Sequence, residues 1–333
     1  MEGGSRVTRL SSSSDTTARH QHGRSEQTST TTSFYRQLLM TLSDGQLPVC
    51  GLSVVADRLY VCRSHSPYVE VYDAATTTYR RLHGSSIHVP GMSGPSDMVG
   101  DTAGGATLYI GAENDGAMFK VTLRSGEQVR WTPDDRPYGV SLTTTTDGSS
   151  RHLLVLSRQA ACVSMLDADD GRPLRRLRLP ASVASPWAAV HVPAVCDEAR
   201  PVRTGGDLIV CHGGGHLTSD CRGVSRLDWW TGTVTRRYHW LSSGPRSRST
   251  ASAMHMVPES DGALLVADQC ADSVQRVDVN LTSHTSLLAD TGHHDSSDVE
   301  QPHRLCVDRA RRRLIVGLDD GRVKVFANGC VVM

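Results

Sequence analysis

The apolar positions of the chain fall into a paired pattern that recurs six times. The first run of each pair reads Leu59-Tyr60-Val61, Leu108-Tyr109-Ile110, Leu153-Leu154-Val155, Leu208-Ile209-Val210, Leu264-Leu265-Val266 and Leu314-Ile315-Val316. The second run starts 9 or 10 residues later in five copies, and only the fourth copy stretches, from 208 to 224. The second runs are VEVYD (69–73), MFKVT (118–122), VSMLD (163–167), VSRLD (224–228), VQRVD (274–278) and VKVFA (323–327). Four of them end in Asp, whose side chain can close a turn by bonding backbone two residues ahead. A third short segment precedes each pair, opened by Pro95, Pro137, Pro186 and Pro302, with Val49 and Ala251 filling the slot in the other two. A fourth follows, at 79–82, 129–131, 174–179, 234–240 and 285–288.

Four short strands per unit, spaced 49, 45, 55, 56 and 50 residues apart at the repeated leucine, describe the blades of a β-propeller. Near-continuous apolar second strands suit that architecture, because a strand covered on both faces need not alternate. The sixth unit runs out of chain before its fourth strand, whereas Phe34 to Leu42 is strand-like and has no unit of its own. The expectation is an all-β, six-bladed propeller closed by this N-terminal segment as the outer strand of the last blade, which removes an exposed sheet edge. The predicted organisation is a Ser/Thr-rich disordered tail at 1–33 and a propeller at 34–330, with blades at approximately 47–85, 86–134, 135–182, 183–246, 247–297 and 298–330 plus 34–42.

The stretch LLVADQCADSVQRVD (264–278) resembles an NHL repeat, and Leu314 to Phe326 and Leu59 to Asp73 resemble it nearly as well. The resemblance covers 34–330. It implies a six-bladed propeller used as an interaction platform for proteins and, in some members, for single-stranded RNA. Larger tripartite-motif relatives carry zinc-binding RING and B-box modules ahead of the propeller. Residues 1–33 have no Cys/His spacing for either, so ligase activity is not indicated.

Composition narrows the picture a little further. The 333 residues carry 35 basic and 35 acidic side chains, so a uniformly basic nucleic-acid surface is not indicated. Met1-Glu2-Gly3-Gly4 opens no signal peptide, and no apolar run is long enough to span a bilayer. The expectation is a cytoplasmic monomer with reduced thiols and no membrane association. The nine cysteines lack framework spacing.

In a propeller, loops joining second to third strands share a face with those entering the next blade, and loops on a rigid scaffold are where binding is expected. The candidates on that face are His65, Asn114, Arg136, Tyr138, Arg158, Trp187, His255, His303 and Arg304. Tyr138, Trp187 and Arg136 have the composition of a surface on which a peptide or base stacks. Acidic residues, among them Asp97, Asp115, Asp272, Asp319 and Asp320, share the face, so a protein partner is favoured over RNA. The long fourth-copy loop holds Cys211, His216 and Cys221, the nearest approach to a zinc ligand set. His212 follows Cys211 along a strand, which sends the two side chains to opposite faces, and no metal or other cofactor is assigned. The positive runs Arg309 to Arg313 and Arg175, Arg176 and Arg178 read as solvated surface, and Trp229-Trp230 as a turn packing one ring between blades. The alternative function is a metal-dependent lactonase resembling the gluconolactonase and regucalcin type. That chemistry requires oxygen ligands around the mouth, for which Asp97, Asn114, Asp268 and Asp319 are candidates, but the Glu that opens the first blade in such relatives is missing at Val49-Cys50-Gly51.

Overall fold

In the computed structural model the described residues are 35–42, 46–76, 79–102, 105–145, 149–192, 206–213, 223–239, 253–259, 261–289 and 299–328. They form six four-stranded antiparallel sheets. After the N-terminal β1 (Tyr35–Leu42), the first blade is β2 (Val49–Val55), β3 (Arg58–Arg63), β4 (Tyr68–Asp73) and β5 (Arg81–His88), and the second β6 (Pro95–Asp101), β7 (Thr107–Ala112), β8 (Ala117–Thr122) and β9 (Gln128–Trp131). The third is β10 (Gly139–Thr144), β11 (Arg151–Ser157), β12 (Cys162–Asp167) and β13 (Pro173–Arg178), and the fourth β14 (Pro186–Val192), β15 (Asp207–His212), β16 (Gly223–Asp228) and β17 (Val234–Tyr238). The fifth is β18 (Ala253–Pro258), β19 (Leu264–Asp268), β20 (Ser273–Val277) and β21 (His284–Ala289). The sixth has β22 (Pro302–Asp308), β23 (Arg313–Leu318) and β24 (Val323–Asn328), and its outer strand is β1, with Leu38 opposite Phe326 and Leu42 opposite Val323. The ring is therefore closed as the repeat arithmetic requires. The tail at 1–33 lies outside the described residues.

Side chains on successive residues of a strand point to opposite faces, and here each face meets a different neighbouring blade. Leu59 and Val61 join a buried cluster with the sixth blade, while Tyr60 and Cys62 join one with the second. Leu153 and Val155 face the second blade, and Leu154 and Leu156 the fourth. Each of the six seams between blades has its own apolar cluster among the described residues. That is why the second strands are apolar without alternation. Near the axis the inner strands approach so closely that glycine is required: a Cβ on Gly51 would stand 2.7 Å from that of Met98, and one on Gly139 would stand 2.8 Å from the Trp187 carbonyl oxygen.

The seam between the last and first blades carries extra polar fasteners. Arg311 reaches Asp57 and Asp308, Arg313 donates to the Ala74 and Thr76 carbonyls, and Arg63 donates to the Gly321 carbonyl at 2.6 Å. Arg311 and Arg313, two arginines of the 309–313 run expected to be solvated, are thus spent on closing the ring. The outer strand of the first blade also differs from expectation, lying at Arg81–His88 and not at 79–82. Tyr79 is fully buried, with the Arg313 guanidinium 5.2 Å from its ring, so it anchors the turn before the strand and does not begin it.

Candidate functional site

The axis of the ring is plugged by one side chain. Arg304, at the start of β22, is 1% exposed. Its Nε donates to the Cys50 carbonyl at 2.7 Å, Nη1 to the His303 carbonyl at 2.8 Å and Nη2 to the Ser96 carbonyl, so the sixth blade is tied to the first and second. Its Nε also lies 3.5 Å from Oδ1 of Asp97, another buried group. Asp97 accepts from the amides of Met98 (2.9 Å) and Val140 (2.8 Å), which brings in the third blade. From the fifth blade, His255 presents Nε2 at 3.6 Å from Asp97 Oδ1, while its Nδ1 accepts the Leu305 amide at 3.2 Å. Five blades meet in this network.

Its electrostatics are those of a sealed site. Burial raises Asp97 to about 6 despite the opposing pull of Arg304 and the two amides. Burial works against the Arg304 charge, yet Asp97, Tyr138 and Cys50 more than offset it and hold that pKa above the usual value. His255 is pushed well below the ordinary histidine range, first by burial and then by the charge of Arg304. His303 is lowered to about 3 by burial and Arg304, although its Nδ1–H donates to the Val49 carbonyl at 2.9 Å. Both imidazoles are neutral at physiological pH. Burial likewise raises the Cys50 thiol to about 12, so it is no nucleophile.

Above the plug lies an aromatic and cationic shelf over the seam between the third and fourth blades. Tyr138, immediately before β10, and Trp187, on β14, meet edge to face at 5.4 Å between ring centroids. The Trp187 Nε1–H donates to the Gly213 carbonyl at 2.7 Å, which fixes the indole. Arg158, from the β11–β12 turn, stacks 3.8 Å from the Trp187 centroid and 4.7 Å from that of Tyr138. The Arg304 guanidinium stands 6.0 Å from the Tyr138 ring, so the phenol connects plug to shelf. Arg158 and Trp187 are half-buried, Tyr138 is buried, and Arg136 is exposed two residues before it. Cation–aromatic contacts of this kind contribute about 0.5–2 kcal/mol, enough to hold the shelf in one arrangement.

The nine candidates therefore separate. Tyr138, Arg158 and Trp187 form the shelf, whereas Arg136 is exposed with its side chain toward the Gly116 turn of the second blade and is not part of the stack. His255 and Arg304 are inside the plug, and His303 borders it. His65 is exposed on the β3–β4 turn in a left-handed conformation (φ 59°), and Asn114 is exposed on the β7–β8 turn, where it lies against Gly94. Of the weak metal candidates, Cys211 is fully buried and burial raises its thiol to about 12, while His216 and Cys221 lie outside the described residues. Among the described residues no three His, Cys, Asp or Glu side chains are grouped to hold an ion. Two of the four oxygens considered for a lactonase are otherwise engaged: Asp97 in the plug, and Asp268 in bonding the Ala271 amide of its own turn. What the sequence reading missed is the plug itself. Asp97 reads as a loop-face charge in the sequence, yet its position two residues after Pro95, inside β6, is the available signal that it points to the axis.

No family model matches the chain, and no curated protein matches it. Among the solved structures that share its fold is the selenomethionine-substituted virginiamycin B lyase from Staphylococcus aureus, with a TM-score of 0.55 at 12% identity, covering 86% of this chain and 98% of that one. Another is a catalytically inactive histidine variant of the same Staphylococcus aureus lyase with quinupristin, with a TM-score of 0.52 at 12% identity over 88% of each chain. At that identity the likeness establishes the six-bladed propeller alone. No helix of the described residues is long and apolar enough to cross a membrane.

Proposed function

We propose that the protein is a non-enzymatic recognition platform that docks a protein segment on the Tyr138–Arg158–Trp187 shelf. The observation that carries this reading is the stack of Arg158 on Trp187 at 3.8 Å, held in place over a mouth that Arg304 closes beneath it. Tyr, Trp and Arg are the side chains that dominate protein interfaces, and rings already fixed lose little entropy on binding. The plug supports recognition over catalysis, since its carboxylate and imidazoles are committed to one another and to backbone. The NHL-like repeats are in keeping with this role, and single-stranded RNA is the less favoured ligand of the same shelf.

A second reading, an enzyme acting at the mouth, has one observation in its favour: the two similar structures named above are of a lyase. The test compares wild type with a Trp187→Ala/Arg158→Ala variant in affinity capture from a lysate, alongside turnover assays of purified protein with quinupristin and with lactones. The platform reading requires proteins retained by wild type and lost by the variant, with no turnover. Turnover, or tight RNA retention that falls steeply with salt, would replace it.

A further inference from the structure

The seam between the first and second blades is tight near the axis, where Gly51 and Gly100 meet Met98 and Ser53, and opens toward the rim. The opening is a cavity of about 630 Å³ on the face opposite the shelf. Its walls are Tyr60 and Val71 from the first sheet, Leu82 and Ile87 from that blade's outer strand, and Leu123 from the turn closing the second blade. Leu82, Ile87 and Leu123 are packed on the buried cluster of this seam yet remain partly uncovered. Ser85, Ser86 and Ala106, also lining it, are too small to fill the space between the sheets.

The charges at the rim are unequally engaged. Asp57 is taken by Arg311 of the last blade, and Asp73 accepts the amide of Ala75 at 2.9 Å. Arg58 and Arg124 are both exposed at the opening, and neither has a carboxylate within ion-pair distance among the described residues. Arg58 stands beside the Tyr60 phenol, whose pKa burial raises and Arg58 pulls back down. An apolar floor beneath two unmatched guanidinium groups selects for one chemistry.

We infer that this cavity is a binding site for a small amphipathic anion, its apolar body between Tyr60, Leu82 and Leu123 and its carboxylate or phosphate at Arg58 and Arg124. The site is separate from the shelf and does not depend on its role.

The test titrates the full chain with 8-anilinonaphthalene-1-sulfonate, an apolar anion that fluoresces when shielded from water, and with uncharged N-phenyl-1-naphthylamine. Wild type is expected to bind the anion at one site. The Arg58→Ala/Arg124→Ala variant should weaken that binding about tenfold while leaving the uncharged probe within about twofold, as expected for loss of two exposed charge-assisted contacts. Ser85→Phe, or Leu123→Trp from the other wall, fills the space and should abolish both signals with the melting temperature unchanged. Displacement by dodecanoate and by dodecyl phosphate distinguishes the two head groups. Absence of binding to wild type, indifference to both filling variants, or equal loss of both probes in the arginine variant would overturn the assignment.

Discussion

Replacing Arg304 with Met keeps most of the side-chain volume and removes the charge at the axis. Three bonds to backbone carbonyls and the 3.5 Å approach to Asp97 go with it, and Asp97 is left buried with the two amides of Met98 and Val140. Removing one partner from a buried pair costs about 3–5 kcal/mol, because the other charge is left uncompensated. The cost depends on pH, and its sign follows from Asp97. In wild type this carboxyl binds its proton up to about 6, above its ordinary value of 3.8, so the native state loses stability as pH rises between those values and no further. Without Arg304 the native carboxyl holds its proton to still higher pH, and the loss continues. Between pH 6 and about 7.5 that difference amounts to about 2 kcal/mol, at about 1.4 kcal/mol per pH unit. Urea unfolding of both proteins at about pH 7.5 and about pH 5 measures it: Arg304→Met should cost about 3–5 kcal/mol at the higher pH and about 2 kcal/mol less at the lower. A cost below about 1 kcal/mol at pH 7.5, or an equal cost at both, would refute the plug as a coupled network.

Further predictions concern the same framework. His303, lowered to about 3, is neutral when folded and protonates near its ordinary 6.5 when unfolded, so its contribution is complete above 6.5 and is lost as pH falls toward 3. His303→Gln should flatten the acid limb of the stability profile by up to about 1.4 kcal/mol per pH unit, read by urea melts. Gly139→Ala should destabilise by about 1–3 kcal/mol, since the new methyl meets a backbone carbonyl that cannot move without shifting β14. A chain starting at residue 43 lacks β1 and leaves β24 unpaired on one side. It should aggregate or self-associate in sedimentation, where the full chain does not.

The repeat made the architecture legible because each blade buries both faces of its second strand, which writes six apolar triplets at readable intervals. Closure was legible from the sixth unit's missing strand. The outer strand of the first blade is harder to read, since its His-Gly-Ser-Ser segment at 83–86 has no apolar pattern and the register with β4 shifts between the Glu70–Ser86 and Tyr72–Arg81 pairs. The shelf was visible in part. Loop position groups Tyr138 and Trp187 correctly but adds Arg136, while the stacking of Arg158 against both rings depends on the distance between adjacent blades, which no local pattern encodes. Arg304 and His255 misled for the same reason: a polar residue at the start of an inner strand looks exposed until the channel proves narrow enough for one guanidinium to fill it. Trp229 and Trp230, adjacent in sequence, follow the expectation of a turn that packs one ring between blades. One is buried between blades and the other is 58% exposed, with Arg175 stacked 4.0 Å from its ring.

The central functional claim, that recognition takes place on the shelf above the plug, is tested most directly by amide hydrogen exchange of the protein alone and in complex with a protein it captures. The account predicts slowed exchange at residues 136–138, 158–161 and 185–187 on binding, with the β13 and β17 outer strands unchanged. Protection confined to those outer strands, or to the opposite-face turns at 56–58 and 123–126, with none at Tyr138, Arg158 or Trp187, would contradict it.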